Sequence, residues 1–243
     1  MKLASLEGGR EGRLVVVSDD MGWCVSAAEI APTLRGALAD WSRCEPLLRG
    51  VAAFLNRGAQ RYVRFEPTAC ASPLPSDPDM TRSRGQFSAM NGMELRRGGA
   101  VIVGALAKGA GRAEAIAAIR LAVLQVSRPD GAAQSPVAVT TESLGEAWRD
   151  GRLSGGPSLE LDGSLASDAP IVFDFANAIV EAARAGDIAE GSVISLAEHR
   201  PLRLGAIGEG AVLRYELRDA LSRSTFGAVQ LRAKVAAEMK EVA

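Results

Sequence analysis

Acidic residues that could hold a divalent cation occur in the middle of the chain. Asp77 and Asp79 form an Asp-Pro-Asp run, and Glu94 follows farther on. Carboxylate oxygens are the ligands that Mg²⁺ and Mn²⁺ take in proteins, so these three residues could support a metal-dependent reaction. The proline between the two aspartates also makes the run typical of a solvated turn.

Candidates for proton transfer or nucleophilic attack are few. His199 is the only histidine in the sequence, which excludes any mechanism that needs two imidazoles. It follows Glu198, but adjacent residues of a strand point to opposite faces, so we interpret His199 as a surface residue rather than half of a dyad. Cys70 has apolar neighbours and no histidine near it in sequence, which favours a buried thiol.

Two further patterns have both a chemical and a structural interpretation. The glycine-rich residues 104–111 lie between a predicted strand and a predicted helix, as in a phosphate-binding loop, but lack the remaining residues of either nucleotide-binding motif. Glu160 and Asp162 are two apart and could face one side of a strand, yet an Asp162-Gly163 turn accounts for the aspartate. We interpret both patterns as structural.

The composition predicts a folded protein without a nucleic-acid or membrane partner. The 243 residues are 47% hydrophobic and 23% charged, with a net charge of −1, so no basic excess attracts phosphate groups. Cys24, Cys44 and Cys70 are widely spaced and form no Cys-x-x-Cys pair, which argues against disulfides and structural zinc and fits a reducing cytoplasm. No apolar run is long enough for a signal peptide or a membrane span.

The elements that must position these residues mix helices and strands without a steady βαβ rhythm. This predicts an α+β fold with a largely antiparallel or mixed sheet. Hairpins are predicted at Asp19-Asp20, at Asp162-Gly163 and in the C-terminal residues 211–232. Further strands are predicted at residues 98–103, 135–140 and 191–198, and helices at residues 28–56 (two, opened by Pro32 and Pro46), 113–127, 141–148 (capped by Thr141) and 173–186.

A proline-rich and polar stretch at residues 67–85 predicts a domain boundary. We place a small N-terminal domain with β-structure at residues 1–75 and a larger domain at residues 76–243.

The order of these segments resembles the fumarylacetoacetate hydrolase family, in particular its bacterial members. IAPTLRGALADW and FEPTACASPLP resemble the family's small N-terminal domain and linker, whereas SAMNGMELRR, SPVAVTTESLGEAWRDGRL, FDFANAIVEAA and GSVISLAE resemble successive parts of its larger domain. The resemblance implies a mixed β-roll in the larger domain, here with trimmed loops, and a dimeric protein. It also implies cleavage or decarboxylation of acylpyruvate-type substrates with bound Mg²⁺ or a similar ion.

The resemblance further implies where the site residues should lie, and none of those positions has the expected side chain. The general-base histidine corresponds to Gly92, and the first metal-binding aspartate to Gly85. The Glu-x-Glu pair corresponds to Arg97 and Gly99, and the last metal-binding aspartate to Ser127. Because Mg²⁺ is held by carboxylates and repelled by an arginine, we expect no metal cofactor at these vestigial positions.

Three functional hypotheses follow. The first is a non-catalytic member of this family, a pseudoenzyme that acts as a homodimer or as a subunit paired with a catalytic paralogue. The second is a hydrolase or decarboxylase of 2,4-dioxo acids that binds Mg²⁺ or Mn²⁺ in a rearranged site formed by Asp77, Asp79 and Glu94. The third is a small-molecule-binding protein that uses the emptied cleft.

Overall fold

The computed structural model describes residues 1–58, 62–74, 86–88, 93–129, 131–205 and 207–234. Within these ranges the chain forms strands and helices in mixed order, and the predicted α+β class is confirmed. The strands are β1 (Lys2–Leu6), β2 (Arg13–Val17), β3 (Trp23–Ser26), β4 (Val63–Arg64), β5 (Gln86–Ser88), β6 (Met93–Val103), β7 (Ile119–Arg128), β8 (Gly131–Gln134), β9 (Val137–Val139), β10 (Trp148–Arg149), β11 (Arg152–Gly155), β12 (Ser158–Leu161), β13 (Ser164–Ser167), β14 (Ile171–Asp174), β15 (Ser192–Ala197), β16 (Leu202–Leu204), β17 (Val212–Glu216) and β18 (Val229–Lys234). The α-helices are α1 (Leu34–Ala39), α2 (Trp41–Asn56), α3 (Arg112–Ala118) and α4 (Phe175–Ala185).

A ten-stranded sheet runs through both predicted domains. Its order is β15-β6-β7-β9-β1-β2-β3-β4, with β16 also paired to β6 and β8 to β7. Strand β1 lies between β2 and β9, antiparallel to both, so strands from residues 1–75 and from residues 76–243 share one sheet. The boundary at residue 75 stays a prediction.

Two smaller sheets complete the fold. One has the order β10-β11-β14, and the other has the order β13-β12-β17-β18-β5, in which the pair of β18 and β5 is parallel. The predicted hairpins are confirmed, and the Asp162-Gly163 turn has the positive φ angles of 49° and 77° that a tight primed turn requires.

Helix α2 differs from the prediction at its start. Pro46 lies inside α2, whereas the sequence pattern predicted that it opens the helix. The loss of one backbone hydrogen bond at Pro46 is outweighed by packing, because an apolar stripe on this helix is buried along its whole length. The stripe consists of Trp41, Cys44, Leu48, Ala52 and Leu55.

The buried helix predicted at residues 113–127 is wrong beyond Ala118. Helix α3 ends there, and the run that follows forms β7. An apolar run with no polar face fits a central strand as well as a buried helix, and periodicity alone does not separate the two. The pairing of β7 with β6 on one side and with β8 and β9 on the other satisfies its backbone polar groups.

The helix predicted at residues 141–148 is a 3₁₀ helix, Thr141–Ala147, and its cap residue is Thr140 rather than Thr141. The helix predicted at residues 173–186 is confirmed as α4, but it starts at Phe175, and Phe173 and Asp174 belong to β14. No helix among the described residues is long and apolar enough to cross a membrane.

The large sheet has two buried faces. The helix face packs on α1 and α2, and Ala100, Ile102, Leu121 and Val123 belong to it. The roll face packs on the smaller sheets and α4, and Val101, Val103, Leu124 and Val126 belong to it together with Leu153, Phe175 and Tyr215. This alternation decides which side chains of β6 and β7 can share a site.

Candidate functional site

The structure describes only part of the predicted site. Glu94, Arg97, Gly99 and Ser127 lie within the described residues. Gly85, Gly92, Asp77 and Asp79 lie outside them.

Arg97 is the buried charge of β6. Its side chain is only 4% exposed, and it points to the roll face of the sheet, next to Tyr215 and Ala169. Nη2 donates to Glu198 Oε1 at 2.6 Å and Nε donates to Glu198 Oε2 at 2.9 Å, which makes a two-point ion pair. Nη1 donates to the Ala169 carbonyl oxygen at 2.8 Å. Each of the three guanidinium nitrogens therefore has a hydrogen-bond acceptor.

Tyr215 lies next to the Arg97–Glu198 pair. The residue is fully buried, and its hydroxyl group donates to the Gly98 carbonyl oxygen at 3.5 Å. Burial raises the pKa of the Tyr215 phenol well above its usual value, and the nearby Arg97 charge opposes that shift only in part. The phenol is therefore neutral at any physiological pH and cannot serve as a general base.

Gly98 and Gly99 follow Arg97 in β6, and neither position has space for a side chain. A Cβ atom at Gly98 would lie 2.5 Å from the Leu196 carbonyl oxygen, which is shorter than any normal contact. A Cβ atom at Gly99 would lie 3.2 Å from the Val123 carbonyl oxygen and 3.4 Å from Phe175 Cζ. An acidic side chain at Gly99 would thus enter an apolar, close-packed region.

Ser127 does not lie with Arg97 and Gly99. Arg97 is paired with Val126, whereas Ser127 is paired with Arg96, so Ser127 points to the opposite face of the sheet. Arg97 and Ser127 therefore do not face one pocket, and the assignment of these positions to a vestigial site stays a prediction. Because the sequence pattern predicts a helix up to Ser127, it cannot indicate to which face of a sheet this residue points.

Ser127 belongs instead to a network of neutral side chains that the sequence reasoning missed. Gln125 Nε2 donates to Ser127 Oγ at 3.1 Å, and Gln125 Oε1 accepts from Gln134 Nε2 at 3.1 Å and from Ser195 Oγ at 3.3 Å. Ser72 Oγ, from the linker, donates to Gln134 Oε1 at 3.3 Å. A glutamine inside the apolar run of β7 is the signal that could have indicated a buried polar network.

Glu94 forms a surface ion pair. Its carboxylate accepts from Arg203 Nε at 2.8 Å, and the two side chains are 47% and 80% exposed. Within the described residues no group of three or more His, Cys, Asp or Glu side chains could hold a metal ion. Among the described residues around Arg97 the one carboxylate, Glu198, is already paired with the guanidinium, and the other neighbours are two glycines, Tyr215 and apolar side chains, which does not fit Mg²⁺ or Mn²⁺.

The remaining sequence patterns have structural roles. In the glycine-rich loop, backbone N–H groups donate to carboxylates, Ala105 to Glu190 at 3.0 Å and Lys108 to Asp187 at 2.7 Å, so a phosphate group would meet negative charge there. Asp162 Oδ1 accepts from the Val212 N–H group at 2.7 Å. Cys70 is buried, as expected, and is not part of a disulfide. His199 is exposed beside Glu198, whose carboxylate is already paired with Arg97.

A cavity of the described structure lies away from the Arg97–Glu198 pair. It has a volume of about 660 Å³ and is lined by the linker at Pro67–Ala71, by Gln134 and Pro136, and by β17 and β18. Clefts of this size hold small organic molecules in other proteins. It is one of several cavities of similar volume, and another, of about 610 Å³, is lined in part by Asp174, Glu198 and His199.

Comparisons with known proteins agree with this architecture. Residues 1–76 match the family model described as fumarylacetoacetase N-terminal domain 2. No curated protein matches the chain.

The fold of the chain is similar to three solved structures over nearly its whole length. A probable 2-hydroxyhepta-2,4-diene-1,7-dioate isomerase from Mycobacterium abscessus has a TM-score of 0.69 and 14% identity, and covers 98% of this chain and 100% of its own. Maleylpyruvate hydrolase from Sphingobium sp. SYK-6 has a TM-score of 0.66 and 15% identity, with coverage of 97% and 100%. The same hydrolase in complex with manganese(II) and pyruvate has a TM-score of 0.66 and 13% identity, with coverage of 98% and 100%.

The fold and the N-terminal match define an α+β protein with the architecture of these hydrolases and isomerases. The resemblance to the fumarylacetoacetate hydrolase family is confirmed, by sequence in the first 76 residues and by fold over nearly the whole chain.

Proposed function

We propose that this chain is a non-catalytic member of the fumarylacetoacetate hydrolase family that acts by association, as a homodimer or as a subunit paired with a catalytic paralogue. The observation that supports this most is the Arg97–Glu198 pair. A buried guanidinium with three acceptors lies where the family resemblance places a metal ligand.

The physical reason is electrostatic. A divalent cation brought close to Arg97 would be repelled by a charge that is only 4% exposed and therefore weakly screened. The Glu198 carboxylate could attract such a cation only by leaving Arg97, which would bury an unpaired guanidinium at a cost of several kcal/mol. The pair therefore stabilises the fold in a way that opposes metal binding.

Exposed apolar side chains support association. Leu47 and Phe54 are seven residues apart on α2, which brings them to one side of the helix, and they are 48% and 56% exposed. The opposite stripe of α2 packs on the large sheet. A second protein that covers Leu47 and Phe54 would remove this apolar surface from water.

Two measurements test association. Size-exclusion chromatography with light scattering should give a mass above that of the 25.4 kDa monomer, and Leu47→Glu together with Phe54→Glu should lower it. Leu165→Glu, at another exposed leucine in β13, is the matched control. A strictly monomeric chain that also fails to co-purify with a co-expressed catalytic paralogue would count against the proposal.

A second candidate function is a metal-dependent hydrolase or decarboxylase of acylpyruvate-type substrates with a rearranged site. It is favoured by the similarity in fold to a maleylpyruvate hydrolase that was crystallised with manganese(II) and pyruvate. Its ligands would be Asp77, Asp79 and Glu94, and its cofactor Mg²⁺ or Mn²⁺. Titration calorimetry with each ion, and an assay with maleylpyruvate, separate the two functions. Micromolar binding that Glu94→Ala abolishes, together with turnover, would favour the enzyme.

A further inference from the structure

The cavity of about 660 Å³ is lined on one side, here called its floor, by one face of the β17–β18 pair. In the antiparallel pair of β17 and β18, Val212 lies opposite Arg232 and Arg214 lies opposite Gln230. Directly opposed residues point to the same side, so these four side chains share a face. All four line the cavity, together with Glu216 at the end of β17.

The charges on this floor are not balanced. Glu216 is almost fully buried, and its Oε2 accepts from Arg214 Nη2 at 2.8 Å and from Arg218 Nη2 at 2.7 Å. Arg232 adds a third guanidinium from the neighbouring strand, and Glu160 lies across from Arg214 on β12. Of the charged side chains that line the cavity, Arg214 and Arg232 outnumber Glu216, which leaves an excess of one positive charge.

The opposite wall of the cavity is largely apolar. Met21, Pro67 and Pro136 contribute to it, and the neutral amide of Gln134 lies at one side. A volume of about 660 Å³ is in the range of pockets that enclose small organic molecules. A polar, positively charged floor that faces an apolar wall fits a ligand with an anionic end and an apolar body.

We propose that this cavity binds a small organic carboxylate, with the carboxylate on Arg214 and Arg232 and the apolar part against the proline-lined wall. A guanidinium group offers paired N–H donors that match a carboxylate. Arg214 donates Nε and Nη2 to Glu216 Oε2, at 3.2 and 2.8 Å, so its Nη1 is left for the ligand and Arg232 provides the paired N–H donors. The site is separate from the Arg97–Glu198 pair, needs no metal ion, and does not depend on the proposed association.

The test compares a carboxylate with its neutral amide. Saturation-transfer NMR and thermal shift are measured with 3-phenylpropionate and with 3-phenylpropanamide, in the presence of EDTA, on the full chain. We expect the acid to bind and the amide to bind at least about tenfold more weakly, because a charge-assisted hydrogen bond is lost.

Variants locate the binding. Arg232→Gln should weaken binding of the acid about tenfold and leave the amide unchanged, and Ala228→Trp, which fills the cavity, should abolish binding of both. Arg203→Gln, at an exposed arginine that is paired with Glu94, is the matched control and should change nothing.

Three results would overturn the proposal. These are equal binding of acid and amide, an Arg232→Gln variant that binds the acid as the unchanged protein does, and binding of the acid that appears only when Mn²⁺ is added. None of them bears on whether the chain forms dimers, so failure here is distinguishable from failure of the proposed association.

Discussion

Two regions of this protein contain carboxylates held by arginines, and they differ in how much charge is left over. Around Arg97, one guanidinium meets one carboxylate and one carbonyl group, and Gly99 on the same face has little space for a side chain. Around Glu216, two guanidinium groups meet one carboxylate at the edge of a cavity of about 660 Å³. The charges of the first region are matched within the fold, whereas the second region has one more guanidinium group than carboxylates.

The largest expected effect is at Arg97. Arg97→Met removes the buried cation and leaves Glu198 without its partner, so we expect a loss of about 2–4 kcal/mol in the free energy of unfolding, somewhat discounted because the Glu198 side chain is 28% exposed. Urea denaturation measures it. Arg97→Met combined with Glu198→Leu should recover part of the loss, since no buried charge then lacks a partner. If Arg97→Met alone were as stable as the unchanged protein, the Arg97–Glu198 pair would not stabilise the fold.

The second prediction tests how closely β6 packs against β15 at Gly98. Gly98→Ala would place a Cβ atom 2.5 Å from the Leu196 carbonyl oxygen, so β6 or β15 must shift. We expect a loss of about 1–3 kcal/mol, as for other overpacked positions, measured by urea denaturation. Gly50→Ala on α2, where a Cβ atom meets nothing within 4 Å, is the control and should be neutral or slightly stabilising. Equal behaviour of the two variants would contradict the close packing.

The ion pair of Arg49 and Glu142, whose side chains are 42% and 48% exposed, connects α2 with the 3₁₀ helix. Burial alone would raise the pKa of the Glu142 carboxyl, but hydrogen bonds from Arg49 and Thr140 outweigh it and lower the pKa to about 2. A lowered folded-state pKa contributes stability above the unfolded value near 4.5, and that stability is lost as the pH falls toward 2.

Glu142→Gln should therefore cost about 1 kcal/mol at pH 7, because the side chain is 48% exposed and the pair is partly screened. The difference from the unchanged protein should shrink steadily below pH 4.5. Urea denaturation at several pH values checks this, and a difference that does not depend on pH would contradict the assigned carboxylate.

The smallest effect is expected at the second region. Arg214→Gln leaves Glu216 paired with Arg218, so the free energy of unfolding should fall by less than about 1 kcal/mol. Thermal denaturation measures this change. A loss as large as that of Arg97→Met would show that Arg214 is committed to the fold, and the comparison between the two regions would fail.

The sequence predicted those parts of the fold that depend on local turn chemistry. The Asp162-Gly163 hairpin depends on two residues that tolerate positive φ, and α4 depends on its own periodic apolar face. The strand β7 was predicted as a helix because its run is apolar on all sides, and only its neighbours in the sheet decide between the two.

The candidate site was less predictable for the same reason. Arg97 and Glu198 are 101 residues apart, and nothing local to either residue indicates the other. A charged residue directly before a buried run requires a partner when it is itself buried, but the sequence does not identify that partner. The floor of the cavity depends on the register of β17 and β18, which the sequence pattern leaves open.

The position of β1 inside the large sheet has a consequence for how the chain reaches its folded form. Lys2 is paired with Val17 on one side and with Val139 on the other, so the strand nearest the amino terminus cannot complete its pairing until well over half of the polypeptide has been synthesised. A fragment that begins at residue 76 would leave β9 as a bare, apolar edge, open to pairing with other molecules. Such a fragment should aggregate, whereas the intact chain carries its own cover for that edge.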